Sequence, residues 1–287
     1  MTPVPVLARA VWTARRDEHR QRLEPLVEPQ LRRRREGRAH PVVDFLFTYY
    51  NLRAAELLRW HPGFGITLAD ADEYATLRGY HRTSDGVTAD PDYVGKRRGT
   101  VEFVTDLLRR TAGRPMHLSC FGLHEWAMVY RTDDIRHGAV PLRLGRAGTN
   151  TVVESMPLRC THYDAFRFFT PAAAPRNTES LTRTDQLERE QPGCLHATMD
   201  LYKWCYKLGP LVDSGLTGDC FELAMDARAL DMRASPYDLR SFGYEPVAIE
   251  TPAGRAEYVR AQQDLAARAA VLRARLLSTC ERLVIVV

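Results

Sequence analysis

The sequence predicts a mainly α-helical protein, a single helical domain with at most one small β-hairpin. The longest periodic segments repeat their apolar residues at helical spacing, as in Val101, Val104 and Leu108. Paired start and stop signals bound several of these segments, such as Thr251-Pro252 before the last one and Gly209-Pro210 after another. The β-prone runs are short, at 142–144 and 151–153. With 45% hydrophobic residues over 287 positions, the chain can bury a full core.

The amino-terminal segment, residues 4–36, is predicted to be a helix interrupted at Pro25 and Pro29. Proline removes a backbone donor and clashes with the preceding turn, so each should break the helix. We assign residues 1–38 as a basic helical arm and 39–287 as a helical catalytic domain.

The elements that follow are placed by their apolar periodicity and their glycine and proline signals. Residues 62–90 are glycine-containing and weakly periodic, which predicts a loop-rich excursion. A hairpin is expected within 138–160, and a short aromatic segment follows it. Helices are expected at 41–60 (one or two), 91–112, 117–130, 192–208, 217–233 and 251–282.

Neither an export signal nor a membrane span is indicated by the sequence. The first twenty residues contain several charges, and no segment holds the ~18 apolar residues of a span. We therefore expect a cytoplasmic protein that does not enter a membrane. The six cysteines form no Cys-x-x-Cys pair and are expected to be reduced thiols in the core.

The basic residues are almost all arginine, and the net charge is only +4. The run Arg32–Arg35 indicates either a solvated helix face or a patch that contacts DNA phosphates. Lys203 and Lys207 are two of only three lysines. They can cap the helix end before Gly209-Pro210. Alternatively, Lys203 pairs with a pocket carboxylate, holds a substrate anion or forms a Schiff base.

Four segments place a histidine near an acid among aromatic residues, which predicts that they share one pocket. A lone histidine in an apolar helix is usually a core residue, but buried histidines and acids need partners. The candidate catalytic residues are Asp44, Glu125, Asp164, Asp200 and Lys203. Histidines 40, 124, 162 and 196 belong to the same four segments.

Aromatic residues in these segments suit a small planar ligand such as a nucleobase, held by stacking. Most are ordinary core residues. The candidate substrate-binding residues are Tyr49, Trp60, Trp126, Tyr163, Arg167 and Tyr202.

A different class of chemistry is also open to the same residues. His124, His162 and His196, with a carboxylate, can bind iron or another transition metal in a helical metalloenzyme. The acids Asp219, Glu222 and Asp226 indicate an exposed helix face rather than a carboxylate metal cage.

Four strings of the chain resemble an actinobacterial family commonly labelled 3-methyladenine DNA glycosylase. The resemblance covers roughly residues 38–270. It implies hydrolysis of the N-glycosidic bond of an alkylated purine, with no cofactor, but assigns no catalytic residue. In that activity a carboxylate would orient water and stabilise the developing cation. The strings are residues 40–50 (HPVVDFLFTYY), 60–63 (WHPG), 121–130 (FGLHEWAMVY) and 200–204 (DLYKW).

Overall fold

A computed structural model describes residues 4–135 and 138–286, and it confirms the mainly α-helical fold. None of the helices in these ranges is long and apolar enough to cross a bilayer. The α-helices are α1 (Arg9–Arg35), α2 (Phe45–Thr48), α3 (Ala54–Leu57), α4 (Asp72–Ala75), α5 (Pro91–Lys96), α6 (Arg98–Ala112), α7 (Leu123–Ala127), α8 (Gly145–Ser155), α9 (Tyr163–Phe166), α10 (Gln186–Arg189), α11 (Leu195–Leu208), α12 (Ser214–Arg233) and α13 (Pro252–Val284).

The centre of the molecule is built by α11, α12 and α13, with α6 packed against them. The predicted bounds of these three long helices are confirmed to within a few residues. Their starts follow the expected chemistry, since Asp213 and Thr251 accept hydrogen bonds from the backbone N–H groups of Leu216 and Gly254. Nearly all of α11 is buried, which places the charged groups of that helix inside the protein.

The strands form one small sheet of order β1-β2-β4-β3, made of β1 (Val6–Leu7), β2 (Thr67–Leu68), β3 (Tyr80–Thr83) and β4 (Gly86–Ala89). β1 pairs parallel to β2, and the other pairs are antiparallel. The hairpin prediction was therefore wrong in position, because the hairpin lies at 80–89 in the segment expected to be loop. At Gly86 (φ +141°), a Cβ would lie 2.2 Å from the carbonyl oxygen of Leu68, so the turn admits only glycine.

The segment expected to form that hairpin instead contains α8. Its β-branched residues Val152 and Val153 point into the core from a helix, because burial of their side chains outweighs their strand preference. The prediction of a broken amino-terminal helix was also wrong, since α1 runs through Pro25 and Pro29. Trp12, Leu23 and Val27 are completely buried along it, and this packing offsets the lost backbone bonds.

Two segments expected to be longer helices contain only short ones. Residues 41–60 hold α2 and α3, separated where Asn51 takes a positive φ of 51°. Residues 117–130 hold only α7, because Phe121 and Gly122 are left-handed just before it. His117 therefore lies outside the helix that carries His124. The predicted helix 91–112 divides at Arg97 into α5 and α6.

Candidate functional site

Three of the four singled-out histidines meet in the protein interior. His124 comes from α7, His196 from α11, and His162 immediately precedes α9. The imidazole of His196 lies between the other two, 4.6 Å from the ring centre of His124 and 5.2 Å from that of His162. His40 lies outside this cluster, with its ring edge-on against Phe242 and Tyr244, but it lines the same large cavity as His196, and all four predicted segments contribute residues to the wall of that cavity.

A first group of three potential ligands consists of His124, His196 and Asp231, which we call the first triad. Their ligand atoms lie within 4.8 Å of one another, and all three residues are buried. His124 Nε2 is 2.8 Å from Asp231 Oδ1. The two groups form a buried ion pair, and neither of these atoms has another partner among the described residues.

Surrounding side chains orient the first triad. Cys120 Sγ lies 3.5 Å from Nδ1 of His124, which leaves Nε2 facing Asp231. The other carboxylate oxygen of Asp231, Oδ2, accepts a 3.0 Å hydrogen bond from Nη1 of Arg228. The same Nη1 donates to Glu125 at 2.7 Å. Contacts of this kind fix the ring orientation and basicity of metal ligands.

The charges of the first triad perturb one another strongly. Burial lowers the pKa of His124, but the Asp231 carboxylate outweighs burial and raises that pKa well above its usual value. Burial raises the pKa of Asp231, yet His124 and the neighbouring cations bring that pKa below normal. The pKa of His196 falls because of burial and then because of the adjacent His124. His196 is therefore a neutral imidazole, the form that binds metals.

A second triad consists of His162, Asp164 and Asp200, whose ligand atoms also lie within 4.8 Å of one another. Here Lys203 supplies a cation: its ammonium donates to Asp200 and lies 3.6 Å from Asp164. Tyr50 Oη donates a 2.8 Å hydrogen bond to the other oxygen of Asp200. Although burial lowers the pKa of Lys203, Asp200 raises it above normal on balance. The amine is thus held as an ammonium ion.

A cavity of about 1460 Å³ borders the first triad at His196 and the second triad at Asp164. His196, Glu125 and Arg228 contribute to its wall, although each is at most 6% exposed. Phe45 and Tyr49 stack on each other in the wall, with ring centres 4.7 Å apart. The cavity therefore combines a buried charged region with an aromatic side.

The sequence-predicted carboxylates are placed in different surroundings. Asp44, Glu125 and Asp164 line the cavity, but each is ion-paired, with Arg33, Arg228 and Arg167 respectively. Asp200 and Lys203 belong to the second triad and do not contribute to the cavity wall.

The sequence-predicted aromatic residues are mostly core residues. Tyr49 lines the cavity, and its hydroxyl accepts a hydrogen bond from Arg167. Trp60 belongs to a separate cluster with Trp12 beside the small sheet. Trp126 and Tyr202 are completely buried in the main core. Tyr163 is half-buried on α9 and is not part of the cavity wall.

The charged runs singled out in the sequence lie at the surface. Within Arg32–Arg35, Arg33 pairs with Asp44, Arg35 pairs with Glu28, and Arg34 lines the cavity. The acids Asp219, Glu222 and Asp226 form no cage in the described structure, because each pairs with an arginine of α1 or α13.

Sequence reasoning missed Asp231 and Arg228, the next charged residues along α12. Both are at most 1% exposed, among the buried Ala227, Leu230 and Met232. Their signal was available, since charges three residues apart in an apolar stretch of helix must be paired if that face is buried.

Comparison with known proteins returned no match: no protein-family model, no curated protein and no solved structure is similar to this chain. The function is therefore inferred from the chemistry of the two triads and the cavity.

Proposed function

We propose that the protein is a mononuclear metal enzyme that binds iron(II) through His124, His196 and Asp231 and acts on a small molecule in the cavity. The observation that carries this proposal is the convergence of two imidazoles and one carboxylate within 4.8 Å, with His124 Nε2 at 2.8 Å from Asp231 Oδ1 and neither of these two atoms otherwise partnered among the described residues. Adjacent ligands of one six-coordinate ion lie about 3 Å apart, since metal–nitrogen and metal–oxygen bonds are about 2.1 Å long. The pair has the spacing of two ligands of a common ion.

The ligand set favours iron(II) over other metals. Two imidazoles and one carboxylate with open positions are typical of non-haem iron(II) enzymes. Cys120 contacts the far side of the His124 ring rather than joining the ligand atoms, so no thiolate directs the site toward zinc or an iron–sulfur cluster. Bound there, iron(II) would supply a redox-active centre able to bind substrate and dioxygen.

The position of the first triad supports an enzyme rather than a structural metal site. Structural sites surround the ion with four protein ligands, whereas this triad offers three. Of the three ligands, His196 contributes to the cavity wall, so a substrate would approach the ion from the side of His196. Arg228 lies at the same wall, where it is paired with Glu125 and donates to the Asp231 carboxylate.

The test compares His196→Ala with a matched control, His162→Ala, since the two rings are stacked and both are buried. We expect one equivalent of iron per chain in the unaltered protein after anaerobic reconstitution and removal of free metal. His196→Ala should lose it, and His162→Ala should keep it. The proposal is wrong if the unaltered protein retains no metal or if both variants lose it equally.

A DNA glycosylase, the activity implied by the sequence resemblance, is the second candidate. It is favoured by the stacked Phe45 and Tyr49 and by two exposed cations in the cavity wall, Arg34 and Arg53. Such a pocket suits a flipped base with its phosphates at the mouth. Release of methylated base from alkylated DNA by metal-free protein would support this candidate. Activity that depends on iron would instead support the metal enzyme.

A further inference from the structure

We infer that Arg228 anchors the carboxylate of the substrate, so that the enzyme acts on a small organic acid with an apolar or aromatic body. This inference rests on the proposed metal site and adds the substrate class.

Arg228 has a hydrogen-bonding edge that no described residue uses. Its guanidinium is almost completely buried, and Nη1 alone makes both of its ion pairs, with Glu125 and Asp231. Nε is buried and has no partner, and Nη2 makes no hydrogen bond with any described residue. Nε and Nη2 together form the edge that binds a carboxylate through two parallel hydrogen bonds. Arg228 also contributes to the cavity wall, so a ligand can approach it.

The balance of charge at the metal-loaded site favours an anionic ligand. The positive charge of Arg228 is balanced by the negative charge of Glu125. The single negative charge of Asp231 then balances only half of the charge of a divalent ion bound to the first triad. The metal-loaded site therefore carries one uncompensated positive charge, which favours a monoanionic ligand because unpaired buried charge is costly.

The other charged residues of the cavity wall also favour an anionic ligand. Its acids Asp44, Glu125 and Asp164 are each ion-paired with an arginine. Among the described residues, neither Arg34 nor Arg53 has an ion-pair partner, and both line the cavity. Unpaired positive charge along a cleft attracts anions.

The side chains around Arg228 suit a substrate with an apolar or aromatic body. Phe45 covers the Arg228 guanidinium, with its ring centre 4.0 Å from the central carbon. Tyr49 stacks on the Phe45 ring, and Phe168 and Met128 also line the cavity. An acid held by Arg228 would extend along apolar and aromatic surface. The Asp231 carboxylate touches both the guanidinium and the first triad, so the anchored group lies next to the metal.

The experiment uses the full chain loaded with cobalt(II), whose visible bands report on its ligands, and titrates it with benzoate or with the neutral isostere benzamide. We expect saturable band shifts with benzoate and at least tenfold weaker binding of benzamide. At a cobalt(II) concentration that saturates the site, Arg228→Lys should weaken benzoate binding at least tenfold, because an ammonium cannot form the paired hydrogen bonds. Arg143→Lys, at a bidentate pair with Glu250 outside the cavity wall, is the matched control and should bind benzoate normally.

The outcomes separate the two proposals. If cobalt binds but benzoate and benzamide bind equally, or neither binds, the carboxylate anchor is wrong and the metal site stands. If cobalt does not bind, the metal site is wrong, and calorimetry on the metal-free chain then tests Arg228 alone. A preference for benzoate there retains the anchor, and the absence of a preference overturns it. If Arg228→Lys fails to fold, calorimetry with benzoate and benzamide on the metal-free chain decides, because benzoate cannot coordinate a metal there.

Discussion

The first and second triads lie against each other through the stacked rings of His196 and His162, yet they differ in one property. Both combine histidine and aspartate at ligand spacing. In the second triad the Lys203 ammonium already pairs with Asp200 and Asp164. In the first, the cation beside Asp231 Oδ1 is the protonated His124, which can give up its proton to a metal ion, and the nearest permanent cation is Arg228, which contacts only the outer oxygen of Asp231.

This difference shows that ligand type and spacing do not define a metal site on their own. A cluster whose negative charge is balanced by a built-in cation has little to gain from a metal ion, because the two cations would repel each other. A cluster without a permanent cation of its own is stabilised when a metal ion arrives and its ligands lose their protons. Removal of one charge should therefore give the second triad the metal-binding property of the first, and the following predictions test that idea.

The largest effect is expected from Lys203→Met in metal-free protein. It leaves the buried Asp200 carboxylate without its cation, which typically costs about 3–5 kcal/mol. Urea unfolding at neutral pH measures the loss. Lys207→Met is the control, since Lys207 is exposed one turn further along α11, and should cost less than about 1 kcal/mol. Equal losses in the two variants would contradict the role assigned to Lys203.

The same Lys203→Met variant should gain a second metal equivalent. With the ammonium removed, His162, Asp164 and Asp200 present ligand atoms to an ion. At a metal concentration 100 times the dissociation constant, binding should restore about 2.7 kcal/mol of stability. Metal content and urea unfolding with zinc(II) are the measurements. Adding Asp200→Asn should return the stoichiometry to one, and a single equivalent in Lys203→Met itself would refute the comparison.

A smaller effect is expected at the edge of the first triad. Cys120→Ala removes the contact to Nδ1 of His124, which should lower metal affinity by about 10–100-fold. Competition with a chromophoric chelator measures the affinity. Cys160→Ala is the matched control, because its thiol contacts the backbone oxygen of His162 beside the second triad. Affinity unchanged in Cys120→Ala would show that the thiol does not orient the ring.

The smallest effect is expected from an acid on the outer face of α12. Asp226→Asn breaks a surface pair with Arg268, in which both side chains are about half exposed. We expect stability to change by less than about 1 kcal/mol, with metal content unaltered. A change in metal content would mean that the acids of α12 cannot be divided into an outer and an inner set.

Much of the central architecture could be predicted from local patterns. The bounds of α11, α12 and α13 followed from apolar periodicity and from capping residues such as Thr251, which act within one turn. The meeting of His124, His162 and His196 followed from the need of buried histidines and acids for partners.

Other elements depended on contacts with distant parts of the chain. The continuity of α1 through Pro25 and Pro29 depends on the burial of Trp12, Leu23 and Val27 against other elements. The hairpin lies at 80–89 because Gly86 permits β4 to run beside β2, a contact between segments about twenty residues apart. Local propensity contains neither piece of information.

The sequence by itself determined that this is a helical protein and that its titratable residues gather among aromatic ones, because periodicity and composition are local properties. Only the tertiary structure decided which acids act together. Asp219 and Asp226 face arginines at the surface, whereas Asp231 on the same helix faces His124. The packing of α12 against its neighbours sets that orientation. Whether a triad already contains its cation depends likewise on where packing places the neighbouring charge.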